Sequence, residues 1–105
     1  MGVNEQTTQV SATQLLQWAL AHERAADLCV SARADHPRTV AAAESWGPLF
    51  HEARRAAIDA VNARDASLRE QEQRHRAMAQ QLRTGAAQFE EMNAQNRAAL
   101  TMSTE

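Results

Sequence analysis

The spacing of apolar residues along the chain predicts two helical segments joined by a turn. Between residues 15 and 32, and again between residues 48 and 100, apolar side chains recur every three or four positions. This is the spacing of one face of an α-helix. Residues that favour strands are few and scattered, so the pattern predicts an all-α protein.

The first segment has a marked beginning and an internal break. Ser11 and Gln14 have the spacing of a capping box, in which each side chain accepts a hydrogen bond from a free backbone amide of the first turn. Pro37 lacks an amide hydrogen and disfavours helix in the residue before it, so we expect a kink near Asp35 and a shorter helix up to Ser45. The apolar stripe of the first helix is Leu15, Trp18, His22, Ala25, Cys29 and Ala32.

The sequence Trp46-Gly47-Pro48 is the strongest turn signal in the chain. Glycine allows a left-handed backbone at the end of a helix, and proline suits the first turn of the next one. A second helix is then predicted from about Pro48 to about Leu100, interrupted in composition only by Gly85. Its roughly 50 residues would measure about 75 Å, which is too long for a compact monomer.

The apolar residues of the second helix follow a seven-residue repeat, which is typical of left-handed packing between helices. These residues form two neighbouring rows along the helix. Arg64 and Gln71 interrupt the second row, and such polar interruptions are more typical of a hairpin or bundle than of a parallel dimer. The first row is Val61, Leu68, His75, Leu82 and Phe89, and the second is Phe50, Ala57, Met78 and Met92.

A short connection makes neighbouring helices antiparallel. The predicted fold is therefore an antiparallel helical hairpin (helix-turn-helix) with a Pro-kinked first helix and a long second helix. We expect residues 1–10 to form a disordered leader, residues 11–100 the hairpin domain and residues 101–105 a disordered tail. Two helices leave part of each apolar stripe uncovered, so we expect a partner chain or a second copy.

The composition and spacing of the charged and metal-binding residues argue against catalysis, metal binding and nucleic-acid binding. The formal net charge is −2, and basic residues are interleaved with acidic ones, unlike the basic faces of nucleic-acid binders. His22 and Cys29 share a helix face and, with His51 or His75, are the candidate metal ligands, but no zinc-ligand spacing is present. We therefore expect no enzyme activity, cofactor or small-molecule substrate, and the two residues are interpreted as core.

The N-terminal residues lack a basic segment followed by an apolar one, so they do not form a general secretory signal peptide. No apolar run approaches the 18 residues of a membrane span.

Two regions are candidate contact surfaces. Trp46, with Gly47 and Pro48, could either pack on the turn or contact a partner, since exposed aromatic residues are favoured binding anchors. The end of the second helix, from Phe89 to Leu100, should extend past the first helix and expose an apolar stripe. The predicted partner interface is Leu15, Trp18, Phe50, Val61, Leu68, Met78, Leu82 and Met92.

The chain resembles the WXG100 superfamily, whose members are small substrates of the type VII (ESX) secretion systems of actinobacteria. The shared features are a length of about one hundred residues, two long helices and a Trp-Gly turn at mid-chain. The segment from Val10 to Leu100 resembles its branch of ESX-secretion-associated small proteins. The matching motifs are Val10-Ser11, Asp35-His36-Pro37 and Ser45-Trp46-Gly47-Pro48-Leu49-Phe50.

The resemblance has two departures. The superfamily turn has one residue between Trp and Gly, whereas Trp46 and Gly47 are adjacent. The superfamily export signal is a Tyr followed, after three further residues, by Asp or Glu. In this chain the corresponding residues are Phe89, which lacks the hydroxyl group, and Asn93, which lacks the negative charge. The chain would then be exported with a partner that carries the full signal, or be retained as an accessory.

The resemblance implies a non-enzymatic secretion substrate or accessory that forms a four-helix bundle, as a homodimer or as a heterodimer with a WXG100-like hairpin. It also implies recognition by the secretion ATPase and a secreted or cell-envelope location. The alternative hypothesis is a cytoplasmic coiled-coil adaptor or regulator unrelated to secretion. That alternative explains the seven-residue repeat equally well and the missing tyrosine better.

Overall fold

A computed structural model describes residues 10–104, and the described residues form helices and no strands. The helices are α1 (Ala12–Ala32), α2 (His36–Glu44) and α3 (His51–Thr104), with a 3-10 turn at Pro48–Phe50. The predicted all-α class is confirmed. Apart from Val10 the predicted leader lies outside the described residues, as does Glu105, and α3 extends four residues past the predicted end of the domain.

Helix α1 begins with the predicted capping box. The Ser11 amide donates to Oε1 of Gln14 at 3.3 Å, and the Gln14 amide donates to Oγ of Ser11 at 3.2 Å. Each side chain thus satisfies a backbone amide that has no partner within the helix.

The predicted break near Pro37 is also present. Residues 33–35 form a turn, and Pro37 lies in the first turn of α2, where its missing amide hydrogen costs nothing. Asp35 occupies the N-cap position but its carboxylate makes no capping hydrogen bond. Instead the Thr39 hydroxyl and the Thr39 amide both donate to the Asp35 carbonyl oxygen, each at 2.9 Å.

The turn after α2 depends on Gly47. Its backbone has φ 81° and ψ 176°, a region that is essentially restricted to glycine. The chain then enters the 3-10 turn through Pro48, and the Phe50 amide donates to the Gly47 carbonyl oxygen at 3.3 Å. The predicted positive φ and the predicted helix-starting proline are both observed.

The described residues form two compact units, and α1 and α3 each contribute to both. The terminal unit contains residues 10–23 and 77–104, and the central unit contains residues 24–76. Helix α3 has 54 residues, which corresponds to a length of about 80 Å at 1.5 Å per residue.

The core of the terminal unit consists of alanine. Four alanine side chains, two from each helix, are at most 4% exposed, whereas Leu15, Leu82 and Phe89 in the same unit are half-buried. A row of such small side chains allows two helices to pack closely without weakening either one, because alanine has the highest helix propensity. The buried alanines are Ala12, Ala19, Ala79 and Ala86.

The core of the central unit is more varied. Ala26, Cys29 and Ala43 are buried. The half-buried residues of α3 in this unit include Ile58, Val61, Leu68 and His75. The interpretation of Cys29 as a core residue therefore agrees with its burial.

The structure confirms one of the two predicted rows of α3. All five residues of the first row are half-buried. In the second row, Phe50, Met78 and Met92 are 42–55% exposed, and Ala57 is half-buried. The second inward-facing row lies one position further along the chain, and it consists of Ile58, Asp65, Glu72, Ala79, Ala86 and Asn93.

Candidate partner-binding surfaces

Two inward-facing carboxylates of the central unit, those of Asp65 and Glu72, both bind Arg33, which lies in the turn directly after α1. Arg33 Nε donates to Oδ1 of Asp65 at 3.0 Å, and Arg33 Nη1 donates to Oε1 of Glu72 at 3.4 Å. This hydrogen bond from Arg33 is the main reason why the pKa of Asp65 lies below its ordinary value of 3.8, with the nearby charges of His36 and Arg69 adding to it. These ion pairs connect the turn after α1 to α3.

Further ion pairs connect the two helices within each unit. In the central unit, Arg76 Nη2 lies 3.3 Å from Oδ1 of Asp27. In the terminal unit, Arg83 donates to both carboxylate oxygens of Glu23 at 2.7 and 3.0 Å. This bidentate contact raises the pKa of Arg83.

The candidate metal ligands are not brought together. Cys29 is buried and His22 and His75 are half-buried, whereas His51 is exposed, with Nδ1 3.4 Å from Nη2 of Arg54. Across residues 10–104, no three His, Cys, Asp or Glu side chains come together as a metal site would require.

An exposed apolar surface lies at the turn of the central unit. Trp46 and Phe50 are 47% and 55% exposed, and together with Ala53 they line a shallow apolar cleft. Gly47 and Pro48 set the backbone that brings the two aromatic rings together, and Leu49 projects beside them almost fully exposed. The turn therefore presents its aromatic side chains to solvent instead of covering them.

A second apolar surface lies on the terminal unit. Trp18, Met78 and Met92 are 42–50% exposed, and Leu15 and Leu82 are half-buried. These five residues belong to the interface predicted from sequence. The other three residues of that prediction, Phe50, Val61 and Leu68, belong to the central unit.

The two residues that resemble an export signal lie one helical turn apart near the end of the inward-facing rows. Phe89 and Asn93 are both half-buried, and residues 94–102 are all exposed. Leu100 and Met102 in this last segment are 66% and 77% exposed. The segment thus presents the greater part of both apolar side chains to solvent.

Sequence reasoning missed the grouping of Arg33 with Asp65 and Glu72. The available signal was that two acidic residues occur seven apart in α3, at the position next to an apolar row. A prediction from the spacing of apolar residues does not find this row, because two of its members are carboxylates. Such carboxylates are tolerated at half-buried positions only when a cation such as arginine pairs with them.

Among the described residues, no helix is long and apolar enough to cross a membrane. The sequence model of a protein family, described as "Excreted virulence factor EspC, type VII ESX diderm", matches residues 5–101 of the chain. No curated protein and no solved structure matches it.

Proposed function

Because the chain belongs to the EspC family of type VII (ESX) excreted virulence factors, we propose that it is a non-enzymatic secretion substrate or secretion-associated accessory. In this proposal it acts by helix–helix binding to a partner. The family is a class of secreted protein and not a class of enzyme, and the inward-facing carboxylates are used in ion pairs.

The proposed arrangement of the chain is an antiparallel hairpin. Within the central unit, Asp27 pairs with Arg76, whereas Arg33, six residues later in sequence, pairs with Asp65 and Glu72. Residues later in the first helical segment thus pair with residues earlier in α3, as expected for antiparallel helices. The short turn at Trp46 supports the same arrangement.

The observation that carries the proposed binding mode is the exposed apolar row of α3 in the terminal unit, where Met78 and Met92 are 42% and 50% exposed. Two helices cannot cover this row, whereas a second hairpin packed against it would complete a four-helix bundle. We therefore propose a homodimer or a heterodimer with a WXG100-like hairpin. The turn residues Trp46, Gly47 and Pro48 would contribute contacts at one end.

The proposed export signal is the end of α3, around Phe89 and Asn93, read by the secretion ATPase. The location would then be extracellular or in the cell envelope. The absence of the tyrosine and the acidic residue favours export together with a partner that carries them. The competing function, a cytoplasmic coiled-coil adaptor, is favoured by the same two substitutions.

Secretion of a Phe89→Ala variant tests this proposal. We expect its amount in the culture filtrate of an ESX-competent host to fall at least about tenfold relative to wild type, as expected for loss of an aromatic anchor. Leu28→Ala, an exposed apolar change in α1 (70% exposed), serves as the matched control. Cell lysates measure the level of intracellular protein, so a folding defect is separated from an export defect.

Two results would contradict the proposal. Wild-type protein that stays in the cytoplasm of a host with a working ESX system would favour the adaptor. Secretion of the Phe89→Ala variant at the control level would remove the end of α3 from the export signal.

A further inference from the structure

An open cavity of about 460 Å³ lies between the end of α2 and the first turns of α3. Both of these segments belong to the central unit. All of its lining residues except Ile58 have ionisable side chains, and all except Ile58 and Arg54 are exposed. The lining residues are Glu44 from α2 and His51, Arg54, Arg55, Ile58 and Asp59 from α3.

The charged groups around this cavity are not paired with one another. Neither Arg54 nor Arg55 forms an ion pair with a carboxylate of residues 10–104, and neither Glu44 nor Asp59 forms one with a cation of the same residues. Arg55 and Asp59 are four residues apart, a spacing at which ion pairs form on helices, as they do elsewhere in α3. The guanidinium groups of the cavity are therefore available to a ligand from another molecule.

Arg54 is a basic residue that the folded chain by itself does not explain. Its side chain is half-buried, and its Nη2 atom lies 3.4 Å from Nδ1 of His51, an atom that accepts a hydrogen bond only while the imidazole is neutral. A positive charge in the first turn of a helix is also unfavourable, because the helix already carries a partial positive charge there. An anion beside Arg54 would remove both disadvantages.

The composition of the cavity favours a ligand with a single negative charge. A planar guanidinium binds a carboxylate or a phosphate through two parallel hydrogen bonds. Glu44 and Asp59 balance the charges of the two arginines, and they repel a doubly charged phosphate more strongly than a carboxylate. The apolar side chain of Ile58 suits the CH₂ groups of a glutamate.

The openness of the cavity favours a protein side chain over a free carboxylate. Because most of the lining residues are exposed, a small molecule bound here would keep much of its surface in water, unlike the largely buried ligands of typical pockets. A glutamate on a partner protein is held in place by the other contacts of the interface, which raise its effective concentration at the cavity.

We infer that this cavity binds a glutamate side chain of a partner protein, with Arg54 and Arg55 as the groups that bind its carboxylate. The inference rests on the proposed binding to a partner and adds the chemistry of one contact. It assigns a polar contact to the central unit, whereas the proposed bundle contact depends on exposed apolar residues of the terminal unit.

Titration of the purified full chain with two capped peptides tests the inference. The peptides are acetyl-Ala-Ala-Glu-Ala-Ala-amide and its counterpart with Gln in place of Glu, and binding is followed by the NMR signals of the arginine Nε–H groups. The dissociation constant of the Glu peptide should be at least about tenfold lower than that of the Gln peptide, as expected for a charge-assisted hydrogen bond. The signals of Arg54 and Arg55 should move.

Three variants separate the cavity from general charge effects. Arg54→Gln should weaken binding of the Glu peptide at least about tenfold without lowering the thermal midpoint of the chain. Arg38→Gln is the matched control, because Arg38 is an exposed arginine of the same unit outside the cavity, and it should leave the dissociation constant unchanged. Glu44→Gln should tighten binding, because it removes a repelling charge.

Four results would each overturn the inference. They are equal affinity for the two peptides, unaltered binding by the Arg54→Gln variant, weaker binding by the Glu44→Gln variant, and binding of acetate or inorganic phosphate as tightly as the Glu peptide. All of them leave the proposed function standing, because its test at Phe89 concerns the terminal unit. Retention of the wild-type chain in an ESX-competent host, with selective binding of the Glu peptide intact, would instead overturn the proposed secretion role alone.

Discussion

At the scale of single residues, one arginine decides which face of α3 turns inward in the central unit. Asp65 and Glu72 occupy positions that an apolar core would fill with Leu or Val, and both accept hydrogen bonds from Arg33. An unpaired carboxylate at a half-buried position would favour exposure to water instead. We therefore expect the ion pair to favour the observed rotation of α3, which the apolar pattern by itself leaves open.

Stability should depend on the charge of Asp65. The pKa of Asp65 is lowered in the folded chain by Arg33, so its stabilising contribution is present above the ordinary value of 3.8 and disappears as the pH falls through the lowered value. We expect Asp65→Asn to lower the free energy of unfolding at neutral pH. The difference from wild type should narrow as the pH drops below 3.8.

Urea denaturation across this pH range measures the effect. Asp59→Asn, an exposed carboxylate change in the same helix, is the control and should show a smaller difference at neutral pH. A constant gap between Asp65→Asn and wild type at all pH values would show that the charge of Asp65 does not stabilise the fold.

At the scale of helices, local signals predicted the boundaries well and the inward face only in part. The capping box at Ser11, the break before Pro37 and the turn at Gly47 depend on a few adjacent residues, and all are observed. The second row of α3 is displaced by one position, because Phe50, Met78 and Met92 are apolar but remain exposed. Which apolar flank turns inward depends on contacts with Arg33 and with alanines distant in sequence.

Gly47 and Gly85 should respond to substitution by alanine in opposite ways. Gly47→Ala should lower the free energy of unfolding by about 1–3 kcal/mol, because an L-residue is strained at φ 81° and ψ 176°. Gly85 lies within a helix and should tolerate the same change with a gain. Equal effects of the two substitutions in chemical denaturation would show that the turn backbone relaxes without strain.

At the scale of the whole chain, α3 continues beyond its inward-facing rows, and the proposed export signal at Phe89 and Asn93 lies where those rows end. Inward-facing residues end at Asn93, and residues 94–102 are exposed. A helix that continues past its packing partners gains only its own hydrogen bonds, which are marginal in water. The distal segment is therefore available to another protein without disturbing the core.

Truncation after Gln95 tests whether the distal segment contributes to folding. The free energy of unfolding should stay within about 0.5 kcal/mol of wild type, because residues 96–102 are all exposed. The far-ultraviolet circular dichroism should lose the signal of one short helical segment. A loss of stability well above this amount would show that the distal segment packs on the rest of the chain.

The alanine core of the terminal unit has a thermodynamic consequence. Burying Ala12, Ala19, Ala79 and Ala86 removes far less apolar surface from water than burying leucines would. The heat-capacity change of unfolding grows with the apolar surface exposed, and typical domains reach about 12–15 cal/mol/K per residue. This chain should fall below that range, so its stability curve should be flat, with little change in folding free energy over a broad span of temperatures.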